Sequence, residues 1–124
     1  MKHQRTMTKE KECLFCNIAS KKKKEKIVYE DDRFVAFHDI NPSAPVHLLI
    51  IPKVHIGVTG CDIEGRCDVS REIFDIARKI AEEMGVGNSY KLVINAGYSA
   101  TKAPDHLHVH LIGGWKSPTE VEHV

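Results

Sequence analysis

His106-Leu107-His108-Val109-His110-Leu111-Ile112 sets three histidines at strict two-residue spacing, with apolar residues between them. Successive side chains of a β-strand point to opposite faces. The spacing therefore predicts a strand with all three imidazoles on one face and Leu107, Val109 and Leu111 on the other. Imidazole is the side chain whose ordinary pKa lies closest to neutrality, so such a row points to proton transfer, nucleophilic attack or metal binding. Three readings stand side by side at this point: a three-histidine metal site, a nucleophilic histidine between two orienting ones, and hydrogen-bonded polar residues on a half-buried face. Same-face neighbours lie about 6.5–7 Å apart along a strand. An adjacent pair can share an ion, whereas the outer two need a bend to do so.

Outward from this strand, 124 residues fit one domain with its own core. At 42% apolar and 28% charged residues, the composition is that of a soluble globular protein. A formal charge of +1 gives no global field for nucleic acid or an anionic membrane. The lysine run Lys21-Lys22-Lys23-Lys24 reads as a solvated helix end or turn. No apolar run approaches the roughly 20 residues that span a bilayer. Met1 to Glu12 is polar, lacks a signal-peptide apolar core and reads as a tail, which makes the cytoplasm the default compartment.

The pattern predicts a short helix over Cys13–Ser20, strands over Lys26–Glu30 and Arg33–Asp39 joined by a turn at Asp31-Asp32, and a strand over His47–Pro52. An amphipathic helix follows, with a stripe at Val69, Ile73, Ile76, Ile80 and Met84, Asp68 or Ser70 at its start and Gly85 at its end. Tyr90–Asn95 reads as a strand, Gly97 to Pro104 as a loop, and Gly113-Gly114 as the break after the histidine strand. Short connections between successive strands favour an antiparallel sheet with helices on one face, an α+β fold.

Cys13-Leu14-Phe15-Cys16 offers two thiolates, and a tetrahedral zinc site needs two more ligands from His47, His55, His106, His108 and His110. Buried or redox cysteines are the competing reading. Cys61 and Cys67 are too widely spaced for such a clip and read as free thiols. His38, Asp39 and His47 sit at strand ends, where sites form on rigid scaffolds, and Asn95 ends the strand before the histidines. There is no Walker or dinucleotide glycine loop and no Gly-x-Ser-x-Gly serine.

Taken together, these residues resemble the histidine triad family. The triad motif is His106 to Ile112. Tyr29-Glu30-Asp31-Asp32, Phe37-His38-Asp39-Ile40, Ala44-Pro45-Val46-His47, Ile51-Pro52-Lys53-Val54-His55-Ile56 and Asn95-Ala96-Gly97 fall in family order. The resemblance covers residues 13–114, leaving tails at 1–12 and 115–124, and is closest to the nucleotide-binding, purine nucleoside phosphoramidase branch. It implies an antiparallel meander with one long helix and a short N-terminal helix, its sheet continuing across a homodimer. It implies that His108 attacks the α-phosphorus of an AMP or GMP phosphoramidate, giving a nucleotidyl-histidine that water hydrolyses. His47 and His110 would donate to phosphoryl oxygens, and a backbone carbonyl near His106 would hold the nucleophile.

Phe37, His38, Asp39, Ile40, Asn95, Ser99, Lys102 and His110 would contact the nucleotide, with Asp39 on the ribose. Structural zinc would be held by Cys13, Cys16, His55 and His106, with no organic cofactor. The loop before the triad departs from the family at Thr101-Lys102-Ala103, where Ala103 offers no hydroxyl. Two alternatives accompany the phosphoramidase: a nucleotide-binding scaffold with weak activity, and a dinucleoside polyphosphate hydrolase.

Overall fold

The computed structural model describes residues 14–19, 26–57, 65, 67–95, 106–117 and 120. Helix α1 (Leu14–Ala19) is followed by β1 (Ile27–Glu30), β2 (Phe34–His38), β3 (Val46–Pro52), helix α2 (Asp68–Glu83), β4 (Tyr90–Val93) and β5 (Val109–Gly113). The strands form one antiparallel sheet in the order β1-β2-β3-β5-β4. The fold is α+β, as expected. β3 and β5 are inner strands, so their hydrogen bonds are satisfied on both edges.

The β1–β2 turn is built by one carboxylate. Asp31 Oδ1 accepts from the backbone amides of Arg33 and Phe34, both at 2.7 Å, and Oδ2 accepts from the Tyr29 hydroxyl at 2.7 Å. Aspartate favours turns because its short carboxylate can take the amides that the reversing chain leaves free. The phenol that donates to it is pushed up to about 12, first by that hydrogen bond and then by burial.

The helices lie on opposite faces of the sheet, not on one. α2 covers Phe34, Ala36, Leu48, Ile50, Val109 and Leu111, whereas α1 puts Phe15 and Ile18 against Val35, Phe37, Leu49 and Ile51. The two sets alternate along β2 and β3, so those strands are apolar at nearly every position. Continuous burial of this kind is the mark of a strand covered on both sides. The α2 stripe is Val69, Ile73, Ala77, Ile80 and Ala81, with Ile76 and Met84 only half-buried at its flank. The two alanines let the helix approach the sheet closely, a role that size and not hydropathy decides.

Several boundaries differ from the sequence pattern, and β4 ends at Val93, short of Asn95. The α2 N-cap is Cys67, with no side-chain cap, because Ser70 Oγ instead donates back to the Cys67 carbonyl at 2.8 Å. β5 runs through Gly113, and the break falls at Gly114, whose φ of +92° favours glycine. Cys67 is disulfide-bonded, not a free thiol. Its spacing excluded a metal knuckle but carried no information on the path of the preceding loop. Cys61 lies outside the described residues.

Candidate active site and metal clip

The ladder of β5 begins at Val109, three residues later than the alternation predicts, yet the alternation itself persists upstream. Leu107 N donates to the Ile56 carbonyl at 2.6 Å, which continues the pairing beyond Pro52. His106 and His108 are 0% and 1% exposed, so these imidazoles are interior groups whose every polar atom needs an account. They share a face with His110, and with Val35, Phe37, Leu49 and Ile51 under α1.

His106 places Nε2 2.8 Å from the Pro52 carbonyl. A carbonyl only accepts, so Nε2 carries the proton and Nδ1 keeps its lone pair. That Nδ1 lies 3.4 Å from Cys16 Sγ, and His55 Nδ1 lies 3.0 Å from the same sulfur. All three ligand atoms fall within 4.8 Å of one another. Zn–S of about 2.3 Å and Zn–N of about 2.05 Å at a tetrahedral angle give an S···N edge of roughly 3.6 Å. The His106 edge matches it closely, and the His55 edge is about half an ångström shorter. The donor set, the geometry and the outer hydrogen bond that selects the His106 tautomer all fit zinc. Cys13, expected as the fourth ligand, lies outside the described residues.

A second cluster is nearly as compact: Asp39, His47 and His110. Its hydrogen bonds argue against a metal. The Ser43 amide donates to His47 Nδ1 at 2.9 Å, so the His47 proton sits on Nε2. Nε2 then donates to His110 Nδ1 at 2.9 Å, with the Asp39 carboxylate 3.4 Å away. A metal on His47 Nε2 would force the proton to Nδ1, against an amide hydrogen. The chain of donors fixes both tautomers and leaves the His110 proton on Nε2. Burial pushes His47 down, with Asp39 opposing, so it stays neutral. Burial, reinforced by His108 and His47, pushes His110 down to about 4.

His108 completes the arrangement. Its Nδ1 donates to the His106 carbonyl at 2.8 Å, which leaves Nε2 as an unprotonated lone pair. Buried Nε2 has no hydrogen-bond partner among the described residues. A buried, partnerless, basic nitrogen on a fixed ring is what nucleophilic attack needs. The His110 ring stands 5.5 Å from it, near-perpendicular at 73°.

Of the other expected site residues, Asp39 joins the His47–His110 cluster and fixes its own loop through Asn41 N at 2.8 Å. Phe37 is buried on the histidine face, under α1, and Ile40 is exposed just past β2. His38 ends β2 half-buried, in alternation with Phe37, and Asn95 is half-buried just beyond β4. Ser99, Lys102 and the Thr101-Lys102-Ala103 departure lie outside the described residues.

Sequence reasoning missed Phe15, whose ring contacts both His106 and His108. It also missed the tautomer-setting groups, Ser43 N and the Pro52 carbonyl. Phe15 was signalled only by being an apolar residue inside the cysteine pair. The backbone groups leave no trace in residue type.

Comparison with known proteins finds relatives over most of the chain. Residues 12–122 match the family described as scavenger mRNA decapping enzyme C-term binding. The chain is 41% identical over 103 residues to the 14 kDa zinc-binding protein of Zea mays, covering 82% of this chain and 80% of that protein. It is 40% identical over 103 residues to adenylylsulfatase HINT1 of Arabidopsis thaliana, covering 82% and 70%. The crystal structure of a HIT family hydrolase from Legionella pneumophila superposes with a TM-score of 0.76 at 38% identity, covering 84% of this chain and 94% of that one.

Proposed function

The chain belongs to the histidine triad family, and on that premise we propose that it is a hydrolase cleaving purine nucleoside phosphoramidates through a nucleotidyl-histidine on His108. The observation that carries this reading is His108 itself: Nδ1 tied to a carbonyl, Nε2 buried and without a partner among the described residues.

In the first step the Nε2 lone pair attacks the α-phosphorus, a P–N(His) bond forms, and the bond from phosphorus to the leaving nitrogen breaks. The leaving amine takes its proton from solvent, because a neutral His110 that gave up its only N–H would become an imidazolate. His110 keeps its Nε2 proton, fixed by the cluster, and would donate a hydrogen bond to the phosphoryl oxygens as their charge grows. His47 supports this by holding the His110 lone pair and sharing its own proton with Asp39. Water then attacks phosphorus and releases a proton to solvent, the P–N(His) bond breaks, and the nucleoside monophosphate leaves with His108 restored as the neutral Nδ1–H imidazole. The strand end from Phe37 to Ile40 and Asn95 would receive the nucleoside, with Asp39 on the ribose hydroxyls. Ser99 and Lys102 would contact the phosphate side.

Zinc, held by Cys16, His55 and His106 with Cys13, would be structural: a closed four-ligand site leaves no position for substrate. No organic cofactor enters these steps. We place the protein in the cytoplasm as a homodimer, its second copy meeting the β4 edge and the exposed Phe74 of α2. No helix among the described residues is long and apolar enough to cross a membrane.

The name of the Arabidopsis relative favours a second leaving group, since an adenylyl sulfate offers the same α-phosphorus. A panel of AMP phosphoramidate, adenylyl sulfate and a dinucleoside polyphosphate separates these substrates. Acid-quenched protein examined by mass spectrometry should carry one nucleotidyl group on His108. An adduct elsewhere, or turnover with no adduct on a timescale that resolves it, refutes the mechanism. Nucleotide binding without turnover of any of the three would leave a binding scaffold.

A further inference from the structure

Phe15 precedes Cys16 in α1, and its ring stands 5.1 Å from that of His108, with planes at 55°. It meets His106 edge-on at 5.9 Å, and Phe37 backs it at 6.1 Å. Phe15 and Ile18 are 4% and 1% exposed. A six-residue helix has no stability of its own, because nucleation costs more than so few hydrogen bonds return. α1 is therefore held by these two apolar side chains and by whatever binds Cys16, whose sulfur lies against His55 and His106.

His108 needs more than its hydrogen bond to be aimed. The contact from Nδ1 to the His106 carbonyl fixes one atom and leaves the ring free to tilt about it. Tilt is opposed from the sides, by Phe15 at 5.1 Å and by His110 at 5.5 Å. Edge and tilted ring pairs prefer these separations, so the contacts attract as well as block. Displacing the attacking atom by about 1 Å can lower a rate by about a hundredfold.

We infer that Phe15 is a positioning residue for the nucleophile, and that metal binding at Cys16 sets the aim of His108 through it by pinning α1 to the sheet. This rests on the reading of His108 as nucleophile. The metal takes no part in the chemistry; it fixes a helix turn, the turn fixes a phenyl ring, and the ring fixes an imidazole.

The test reads the histidine rings directly, in full-length protein labelled with 15N-histidine. Zinc-loaded wild type should show one slowly exchanging His108 Nδ1–H, and chelation should shift its ring signals and shorten that lifetime at least tenfold. Phe15→Leu, which keeps an apolar side chain under α1, should show the shifted signals already with about one zinc bound per chain, and chelation should then change them little. Its kcat should fall about tenfold with KM within twofold of wild type.

Wild-type His108 signals that ignore chelation overturn the inference, whether or not the variant folds. So does an equal chelation shift in both proteins, which would route the coupling through the His106 carbonyl alone. Full turnover in His108→Asn would instead defeat the nucleophile reading, and the ring signals would still report on Phe15.

Discussion

His47 Nε2 and His110 Nδ1 lie 2.9 Å apart across the β3–β5 pair, and the Ser43 amide on the far side of His47 decides which of them holds the proton. Two neutral imidazoles in this relation, His47 buried and His110 half-buried, form a polarised donor pair. Neither can be protonated without losing a hydrogen bond: a charged His110 would turn a proton toward the Nε2–H of His47, and a charged His47 one toward the Ser43 amide.

Stability should therefore depend on pH with a definite sign. His110 is held down to about 4 in the folded protein, against 6.5 when unfolded. Between these values the unfolded chain binds more protons, so stability is full above about pH 6.5 and falls as pH drops toward 4. A shift of this size is worth about 3 kcal/mol at most. Urea denaturation from pH 7.5 to 4.5 should show this loss, and His110→Asn should flatten it. A parallel decline in both proteins counts against the assignment.

Replacing the nucleophile should separate binding from chemistry. His108→Asn should lower kcat by about three orders of magnitude or more, as nucleophile removal does elsewhere. AMP affinity by calorimetry should stay within about threefold. Loss of binding in step with turnover would make His108 a ligand contact only.

The two compact clusters should differ in metal content. Cys16→Ser should reduce zinc from about one per chain to below roughly a tenth and lower the melting temperature. His47→Asn should leave zinc unchanged, because the Ser43 amide already occupies Nδ1, the nitrogen that would have to take the proton if a metal bound Nε2. Zinc lost from both variants, or from neither, contradicts the assignment.

Core and surface should respond on different scales. Ile80, 1% exposed under α2, should cost about 2–5 kcal/mol as Ile80→Ala. Arg33 meets Glu72 at 2.7 Å but is about half-exposed, so Arg33→Ala should cost less than about 1 kcal/mol. Denaturant midpoints decide between these magnitudes.

Light scattering should give about twice the 14.0 kDa chain mass, and Phe74→Glu should lower it toward the single chain. β4 is an edge of the sheet whose Tyr90 and Leu92 pack against the core under α2, and a sheet edge is a template for pairing. A wild-type mass of one chain removes the homodimer.

How much of this was legible in residue order follows from where the information resides. Alternation at His106–Ile112 and the stripe from Val69 to Ile80 fix side-chain faces, so sheet, long helix and site face could be read directly. The side of the sheet taken by α1 could not, since Phe34–Phe37 and Leu48–Ile51 are apolar at every position and advertise neither face. Likewise, Cys16, His55 and His106 could be nominated by residue type. The groups that decide between metal and proton at each imidazole, the Ser43 amide and the Pro52 carbonyl, are main-chain atoms common to every sequence.

β3 and β5 lie inside the sheet, each laddered on both sides, and between them they carry His47 and His110 and lead directly into His108. Such strands cannot swing toward a substrate without tearing two rows of hydrogen bonds. The enzyme must therefore hold its reactive geometry before anything arrives, as a lock cut in advance. Selection for a new leaving group would then act on the rim and leave the mechanism's centre untouched.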